Sequence, residues 1–127
     1  MTLAPTITEK LTRARGDLRM GVPVALTSEG RAALAVAVEA LTPDRLADLR
    51  GLGMPELALT SWRAETLKAR AYDAGLARVQ VPGGADLRWL RAIADPSGDL
   101  MTPMKGPLFT DRGGQTASHL AALALAK

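Results

Sequence analysis

Signals that begin and end helices recur along this chain of 127 residues and divide it into short segments. Thr6 and Glu9 form the pattern of a capping box, Thr42-Pro43-Asp44 places a hydroxyl, a proline and an acid at a helix start, and Asp86 precedes a third helical segment. Short apolar runs bounded by Gly or Pro lie between these helices and predict strands. None of these runs approaches the roughly 18–20 residues that span a bilayer. The pattern therefore predicts one domain of short elements over residues 1–127.

The predicted order of elements is helix, strand, strand, helix, strand, helix, strand, helix, strand, helix. The predicted strands cover residues 22–26, 33–38, 55–60, 77–81 and 105–110, with Pro107 placing the last of them at a sheet edge. The turn over residues 27–30 predicts that the first two strands pair as a hairpin. The order as a whole indicates the α/β class, with a sandwich of mixed strand directions.

The helices carry apolar residues at helical spacing. In the first helix, Ile7, Leu11, Ala14 and Leu18 are expected to share a buried face, and Gly21 is expected to end the helix in a left-handed conformation. Ser61 is the expected cap of the helix that carries Trp62, Leu67 and Ala71. The remaining inward residues are predicted to be Leu46, Leu49, Leu87, Leu90 and Ile93.

The residues available for chemistry are restricted. The chain has no cysteine, which excludes disulfides, a cysteine nucleophile, iron–sulfur clusters and cysteine-ligated zinc. His119 is the single histidine, so a site with several histidine ligands is excluded as well. We expect His119 to be a surface or partly buried residue of the last helix and not a catalytic base. The N-terminus lacks a basic region followed by an apolar stretch, which indicates a cytoplasmic protein.

The charge pattern does not favour nucleic acid. The net charge is +3, the basic residues are mostly arginines spread along the chain, and acids are interleaved with them. Nucleic-acid binders usually concentrate positive charge and add stacking aromatics, which make up 3% of this chain. The pattern predicts solvated faces with local ion pairs.

A Gly-rich turn opens directly into the final Ala/Leu helix. Backbone N–H groups at a helix start, a flanking arginine and a hydroxyl can form a cradle for an oxyanion or a phosphate. The candidate phosphate-binding residues are Arg112, Gly114, Gln115 and Thr116. The alternative is that these residues shape a flexible turn and cap the helix.

Four stretches resemble, in sequence order, parts of the 3,4-dihydroxy-2-butanone 4-phosphate synthase family of riboflavin biosynthesis. They are residues 15–26, residues 37–43, residues 56–60 followed by Arg63 and Leu67, and residues 112–117, which are similar to the family's Arg-x-Gly-His-Thr-Glu motif. The resemblance extends from about Thr8 to Lys127. It implies a truncated α/β sandwich of the synthase type, a dimeric assembly, and a phosphate subsite at Arg112 and Thr116.

The chain departs from the family where the family's chemistry lies. The acidic loop that follows the family's first strand corresponds here to residues 27–31, in which Glu29 is the only carboxylate. Gln115 replaces a metal-binding histidine and Ala117 replaces a glutamate; a carboxamide is a poor substitute for imidazole on a divalent metal. Rearrangement of ribulose 5-phosphate with loss of formate needs that metal and nearby bases. We therefore predict no catalytic residues, no cofactor and loss of the magnesium site.

The resemblance leads to three functional hypotheses. The first is a catalytically inactive synthase-like domain, a pseudoenzyme with a structural or regulatory role in riboflavin biosynthesis. Such a domain resembles the N-terminal part of proteins whose second module is a GTP cyclohydrolase II, and that module's cysteine-ligated zinc cannot reside in this chain. The alternatives are a small phosphate-ligand-binding module and an RNA- or nucleotide-associated α/β module. The expected partners are a second copy, a cyclohydrolase module or a phosphorylated small molecule, with no membrane.

Overall fold

The structure is a computed structural model that describes residues 3–28, 30–67, 69, 75–99, 108–111 and 116–126. The helices are α1 (Ile7–Met20), α2 (Pro43–Leu52), α3 (Ser61–Thr66), α4 (Leu87–Ala94) and α5 (Ala117–Ala126). The strands are β1 (Val24–Ser28), β2 (Arg31–Ala35), β3 (Glu56–Thr60), β4 (Leu76–Gln80) and β5 (Thr110–Asp111). Short 3₁₀ turns cover Val38–Ala40 and Pro96–Gly98. The fold is therefore mixed α/β, and its helices and strands follow the predicted order.

The strands form two small antiparallel sheets. β1 pairs with β2 in the first sheet, and the second sheet has the order β3-β4-β5. The expected mixture of strand directions is wrong for the described residues, since each pairing among them is antiparallel. Thr60, the last residue of β3, pairs with Leu76, the first residue of β4. β4 therefore begins beside the end of β3 and runs in the opposite direction.

The first sheet and α1 follow the local signals closely. The Thr6 amide donates to Glu9 Oε1 at 3.0 Å, and the Glu9 amide donates to Thr6 Oγ1 at 3.1 Å, which completes the capping box. Gly21 ends the helix with a φ of 80°. The predicted buried face is confirmed only at Leu18, because Ile7 is 77% exposed and Leu11 is also exposed. α1 is thus buried only towards its C-terminal end.

The main core lies on one face of the second sheet. Leu57 and Leu59 of β3 and Val79 of β4 pack with residues of α2, of α4 and of the segments that precede these two helices. The cluster consists of Leu41, Leu46, Leu57, Leu59, Val79, Val81, Ala85, Leu90 and Ile93. The predicted inward positions are thereby confirmed for Leu46, Leu90 and Ile93, with Leu49 and Leu87 partly buried against them. Burial of this alternating set explains why β3 and β4 keep their register.

The connection from β3 into α3 differs from expectation. Thr60, and not Ser61, is the cap: its Oγ1 accepts from the Arg63 amide at 3.2 Å. Trp62 lies on the outer face of α3 and is 80% exposed. Of the other residues expected in this helix, Leu67 is at its C-cap and Ala71 lies outside the described residues. A hydroxyl at the last strand residue allows the helix to start one residue earlier than predicted.

Arg63 ties α3 to the end of α4. Its side chain is buried; its Nε donates to the Ile93 carbonyl at 2.8 Å, and its two terminal nitrogens bond both oxygens of Asp99 at 2.7 and 3.0 Å. Further bonds reach the carbonyls of Ala92 and Asp95. The buried charge is thus fully engaged in holding two helices together.

The last strand, β5, and the last helix, α5, both attach to the second sheet. β5 is an edge strand, as predicted, but only Thr110 and Asp111 pair with β4, and residues 105–107 lie outside the described chain. α5 packs against α1, β1, β3 and β4, so it bridges the two sheets. None of the helices in the described part combines the length and the apolarity needed to cross a bilayer.

Candidate functional site

Thr116 is the only predicted phosphate-binding residue within the described chain. Arg112, Gly114 and Gln115 lie outside the described residues, as does Glu29. Thr116 is partly buried and directly precedes α5, where its carbonyl accepts the Leu120 amide at 3.0 Å. It therefore occupies the helix start that the sequence predicted.

Polar side chains gather on the face of the second sheet that carries α5. The register places Glu56 opposite Gln80, and Arg78 opposite Asp111. Because side chains alternate between the faces of a sheet, these four residues share the face opposite Leu57, Leu59 and Val79. His119 of α5 reaches this face, with its Nε2 at 3.1 Å from Glu56 Oε1. These residues form a polar site between the second sheet and α5.

The two carboxyl groups of this site influence each other and have other hydrogen-bond partners. Gln80 Nε2 donates to Asp111 Oδ1 at 2.6 Å, and Glu56 and Asp111 shift each other's pKa. The side chains of Glu56 and His119 are 29% and 23% exposed, so the site is partly shielded from water. We refer to Glu56 and Asp111 below as the carboxyl pair.

The pKa values of the carboxyl pair are shifted in opposite directions. Burial, together with the hydrogen bond to Asp111, raises the pKa of Glu56 above its ordinary value of 4.5, and His119 only partly opposes this shift. The pKa of Asp111 is lowered by its bonds with Glu56 and Gln80 and by the nearby charges of Arg78 and His119. Protonation is therefore favoured at Glu56 more than at Asp111.

The imidazole of His119 has one bonded and one unbonded nitrogen. Nε2 faces the Glu56 carboxyl, while Nδ1 is buried without a hydrogen-bond partner in the described structure. The Glu56 oxygen facing it acts as an acceptor, so Nε2 carries the proton; this tautomer is assigned from the bonding partner.

The arrangement suits proton sharing better than metal binding. No group of three or more metal-ligating side chains occurs among the residues that the structure describes. The pKa values of Glu56 and Asp111 are shifted in opposite directions beside an imidazole, which is a pattern typical of sites that exchange protons. Each of the two carboxyls is also bonded within the protein, as expected of groups that hold elements together.

A second concave feature lies between α2 and the start of α4. It has a volume of about 700 Å³ and is lined mainly by apolar groups, including Leu46, Ala47 and Leu87. Arg50 also lines it and donates to the carbonyls of Pro82 and Ala85. This groove therefore offers apolar contact area, and its Arg50 already has hydrogen-bond partners.

Several arginines are committed to the fold. Arg45 donates to the Gly21 carbonyl and Arg91 donates to the Leu41 carbonyl, in addition to the bonds of Arg50 and Arg63. Guanidinium groups used in this way fix loops against helices and are not displayed as a basic surface. The dispersed charge read from the sequence has a structural use at these four positions.

Sequence reasoning located His119 correctly and missed its partners. The partly buried position expected for His119 is confirmed. Glu56, Gln80 and Asp111 were not singled out, although Glu56 alternates with Leu57 and Leu59, and Arg78 and Gln80 alternate with Val79. That alternation marks a polar face of each strand, but it does not tell which helix covers it.

No family model, curated protein or solved structure matches this chain.

Proposed function

We propose that this chain is a catalytically inactive domain of the dihydroxybutanone phosphate synthase type, with a structural or regulatory role in riboflavin biosynthesis. In this proposal it forms the N-terminal part of a GTP cyclohydrolase II-type protein. The order of the elements, the geometry of the first hairpin and the exposed surface of the domain support this role.

The order of elements supports the resemblance. The first three stretches that resemble the family fall on α1 and β1, on the turn before α2, and on β3 with α3, and the described residues of the fourth fall at the start of α5. Each of the first three covers a junction between two elements, where a sequence motif has a local structural reason. A fortuitous likeness would not be expected to follow junctions in this way.

The hairpin of β1 and β2 is the observation that supports lost catalysis. β1 and β2 pair as far as Ser28 and Arg31, so two residues, Glu29 and Gly30, join the strands. Gly30 has a φ of 77°, as favoured in a tight hairpin turn. The family places an acidic loop after its first strand, and a connection of two residues cannot supply several carboxylates to a metal and a substrate. This single observation favours an inactive domain.

The exposed surface supports a structural or regulatory role. Ile7 and Leu11 lie four residues apart on α1 and are both exposed, and Leu3, just before the helix, is exposed as well, so the first half of α1 has uncovered apolar groups. Apolar groups aligned in this way mark interaction surfaces more often than isolated ones do. A cyclohydrolase module or a second copy of the chain would be the partner.

The test of inactivity is formate release from ribulose 5-phosphate with magnesium. We expect no formate, with an active synthase of the family as the positive control. Formate production that depends on magnesium would overturn the proposal. The test of the role is the turnover and melting temperature of a GTP cyclohydrolase II module with and without this domain attached. An unchanged module would refute the structural or regulatory role.

Calorimetric titration with ribulose 5-phosphate separates this proposal from a phosphate-binding module. Thr116 at the start of α5 is the described feature that favours phosphate binding. Binding that persists in EDTA and weakens by about 1–3 kcal/mol in Arg112→Ala would favour the module. Arg88→Ala, which changes an exposed arginine on α4, is the matched control. Absence of heat in both buffers would leave the structural role as the function.

A further inference from the structure

The outer edge of β2 is open. Among the described strands, β2 pairs only with β1, and β1 is the described element that packs closely against it. The first four residues of β2, from Arg31 to Leu34, are all exposed, although successive side chains of a strand point to opposite faces. Both faces of this strand and its outer edge are therefore accessible in the described part of the chain.

The register of the hairpin determines which main-chain groups lie on this edge. Ser28 and Arg31 are the last pair before the turn, and a β-turn bonds its first and fourth residues. Hydrogen-bonded and non-hydrogen-bonded pairs alternate along an antiparallel ladder. Ala33 therefore bonds to β1 as Arg31 does, whereas the N–H and C=O groups of Ala32 and Leu34 point away from β1. Such a row of main-chain groups is a template for a further strand.

We propose that this edge binds a second copy of the chain, with the two β2 strands paired in antiparallel fashion about Ala33. In this register Ala32 of each copy lies opposite Leu34 of the other, and each such pair exchanges both of its main-chain hydrogen bonds. Arg31 lies opposite Ala35, so the two arginines are at opposite ends of the paired strands and do not repel each other at close range. The two hairpins thus form one sheet of four strands.

The side chains along the edge favour a copy of the chain over a foreign peptide. Edge strands are commonly protected by charges or proline along their length, but β2 has no proline and its single charge, Arg31, is at its end. A foreign peptide added to a sheet edge is selected by side-chain pockets, which a strand of small residues does not supply. Self-pairing places Leu34, which is 49% exposed, on an apolar face that is continuous over four strands.

The position of α5 leaves room for this pairing. Val24 and Leu26 of β1 are partly buried while Ala25 and Thr27 are exposed, so α5 packs on the face that carries Val24 and Leu26. In a sheet of four strands the two β1 strands are three strand spacings apart, which is about 14 Å. Two packed helices need about 8–10 Å between their axes. The α5 helix of each copy can therefore cover its own β1 without collision.

The small area of the contact sets its strength. A pairing over the five residues of β2 buries much less than the roughly 800 Å² per partner of a standard interface. We therefore expect a weak dimer, with a dissociation constant of about 10 μM to 1 mM. The pairing goes beyond the proposed function, because it needs neither a ligand nor the likeness to the synthase family. Its failure would leave the test of inactivity unaffected.

Exchange of charge at Ala33 tests the pairing in the full chain. Sedimentation equilibrium up to about 1 mM should show monomer and dimer. Ala33→Asp and Ala33→Lys should each weaken the dimer about fivefold, because like charges then face each other, and an equal mixture of the two should restore it. Ile7→Gln, on the exposed apolar surface of α1, is the control and should leave the dimer unchanged. A monomer at every concentration, or a mixture no more dimeric than either variant alone, would overturn the proposal.

Oxidation of single-cysteine variants tests the register. The chain has no cysteine, so Ala33→Cys introduces a single thiol. The two copies of this residue form a non-hydrogen-bonded pair with their Cα atoms about 4.5 Å apart, which suits a disulfide. Ala32→Cys is the matched control, since its two copies are offset by about 7 Å along the strands in addition to the strand spacing, beyond the reach of a disulfide. We expect rapid cross-linking of Ala33→Cys alone. Equal cross-linking of both variants, or of neither, would refute the pairing.

Discussion

The two sheets of this molecule use similar strands in opposite ways. In β2 the first four residues are exposed and only Ala35 is partly buried, whereas in β4 the first four residues are buried and only Gln80 is exposed. The strands are equal in length and both pair in antiparallel fashion. The difference shows that the second sheet forms the core, while the first sheet is attached to it.

Side-chain size explains much of this difference. β2 is Arg31-Ala32-Ala33-Leu34-Ala35, which offers little apolar area to bury. A two-stranded hairpin is at best marginally stable by itself. Here α5 and the C-terminal end of α1 pack against β1, and this packing keeps the hairpin in place.

The largest predicted effect separates the two regions directly. Ile93 is 1% exposed in the main core. Ile93→Ala should lower the free energy of unfolding by about 2–5 kcal/mol, because the burial of the side chain is lost and a cavity remains. Leu34→Ala in β2 removes a side chain that is 49% exposed and should cost less than about 1 kcal/mol. Urea unfolding of both variants measures the difference. Equal losses would mean that the first sheet carries as much of the fold as the second.

A smaller effect distinguishes two glycines within the first region. Gly21 and Gly30 have φ values of 80° and 77°, so Ala at either position should cost about 1–2 kcal/mol from backbone strain. A Cβ at Gly21 would also collide with the Ala40 carbonyl oxygen, whereas a Cβ at Gly30 would meet nothing within 4 Å. Gly21→Ala should therefore lower the melting temperature clearly more than Gly30→Ala. The reverse order would show that the hairpin turn, and not its attachment to α1, limits stability.

The sequence predicted most reliably what is decided within a few residues. The caps at Thr6, Thr42 and Asp86 are confirmed, because a side-chain oxygen bonds an amide three residues away in each case. Thr60 was missed as a cap in favour of Ser61, since two neighbouring hydroxyls give the same signal. The second strand was predicted over residues 33–38 but covers 31–35, because the hairpin turn is tighter than the apolar run suggests.

What depends on distant contacts was predicted poorly. The burial expected of Ile7 and Leu11 requires a neighbour for the whole of α1, and periodicity alone does not supply one. The directions of the later strands depend on pairings between residues distant in sequence, such as Thr60 with Leu76. In the candidate site, Glu56 and His119 are 63 residues apart in sequence, and only the packing of α5 on the second sheet brings them together. The likeness to the synthase family stays a prediction.

The smallest predicted effect contrasts the pH dependence of the two regions. The pKa of Glu9 is lowered, chiefly because its carboxylate accepts the Thr6 amide in the capping box. A lowered folded pKa gives stabilisation that is present above the ordinary value of 4.5 and is lost as the pH falls through the folded value. The first turn of α1 should therefore lose amide protection in acid. Glu9→Gln should remove the acid response of α1 and leave α5 unaffected, when both are followed by hydrogen exchange in one sample. If Glu9→Gln changed the protection of both regions together, the two would unfold as one unit. The first sheet would then belong to the core, contrary to what its exposed residues indicate.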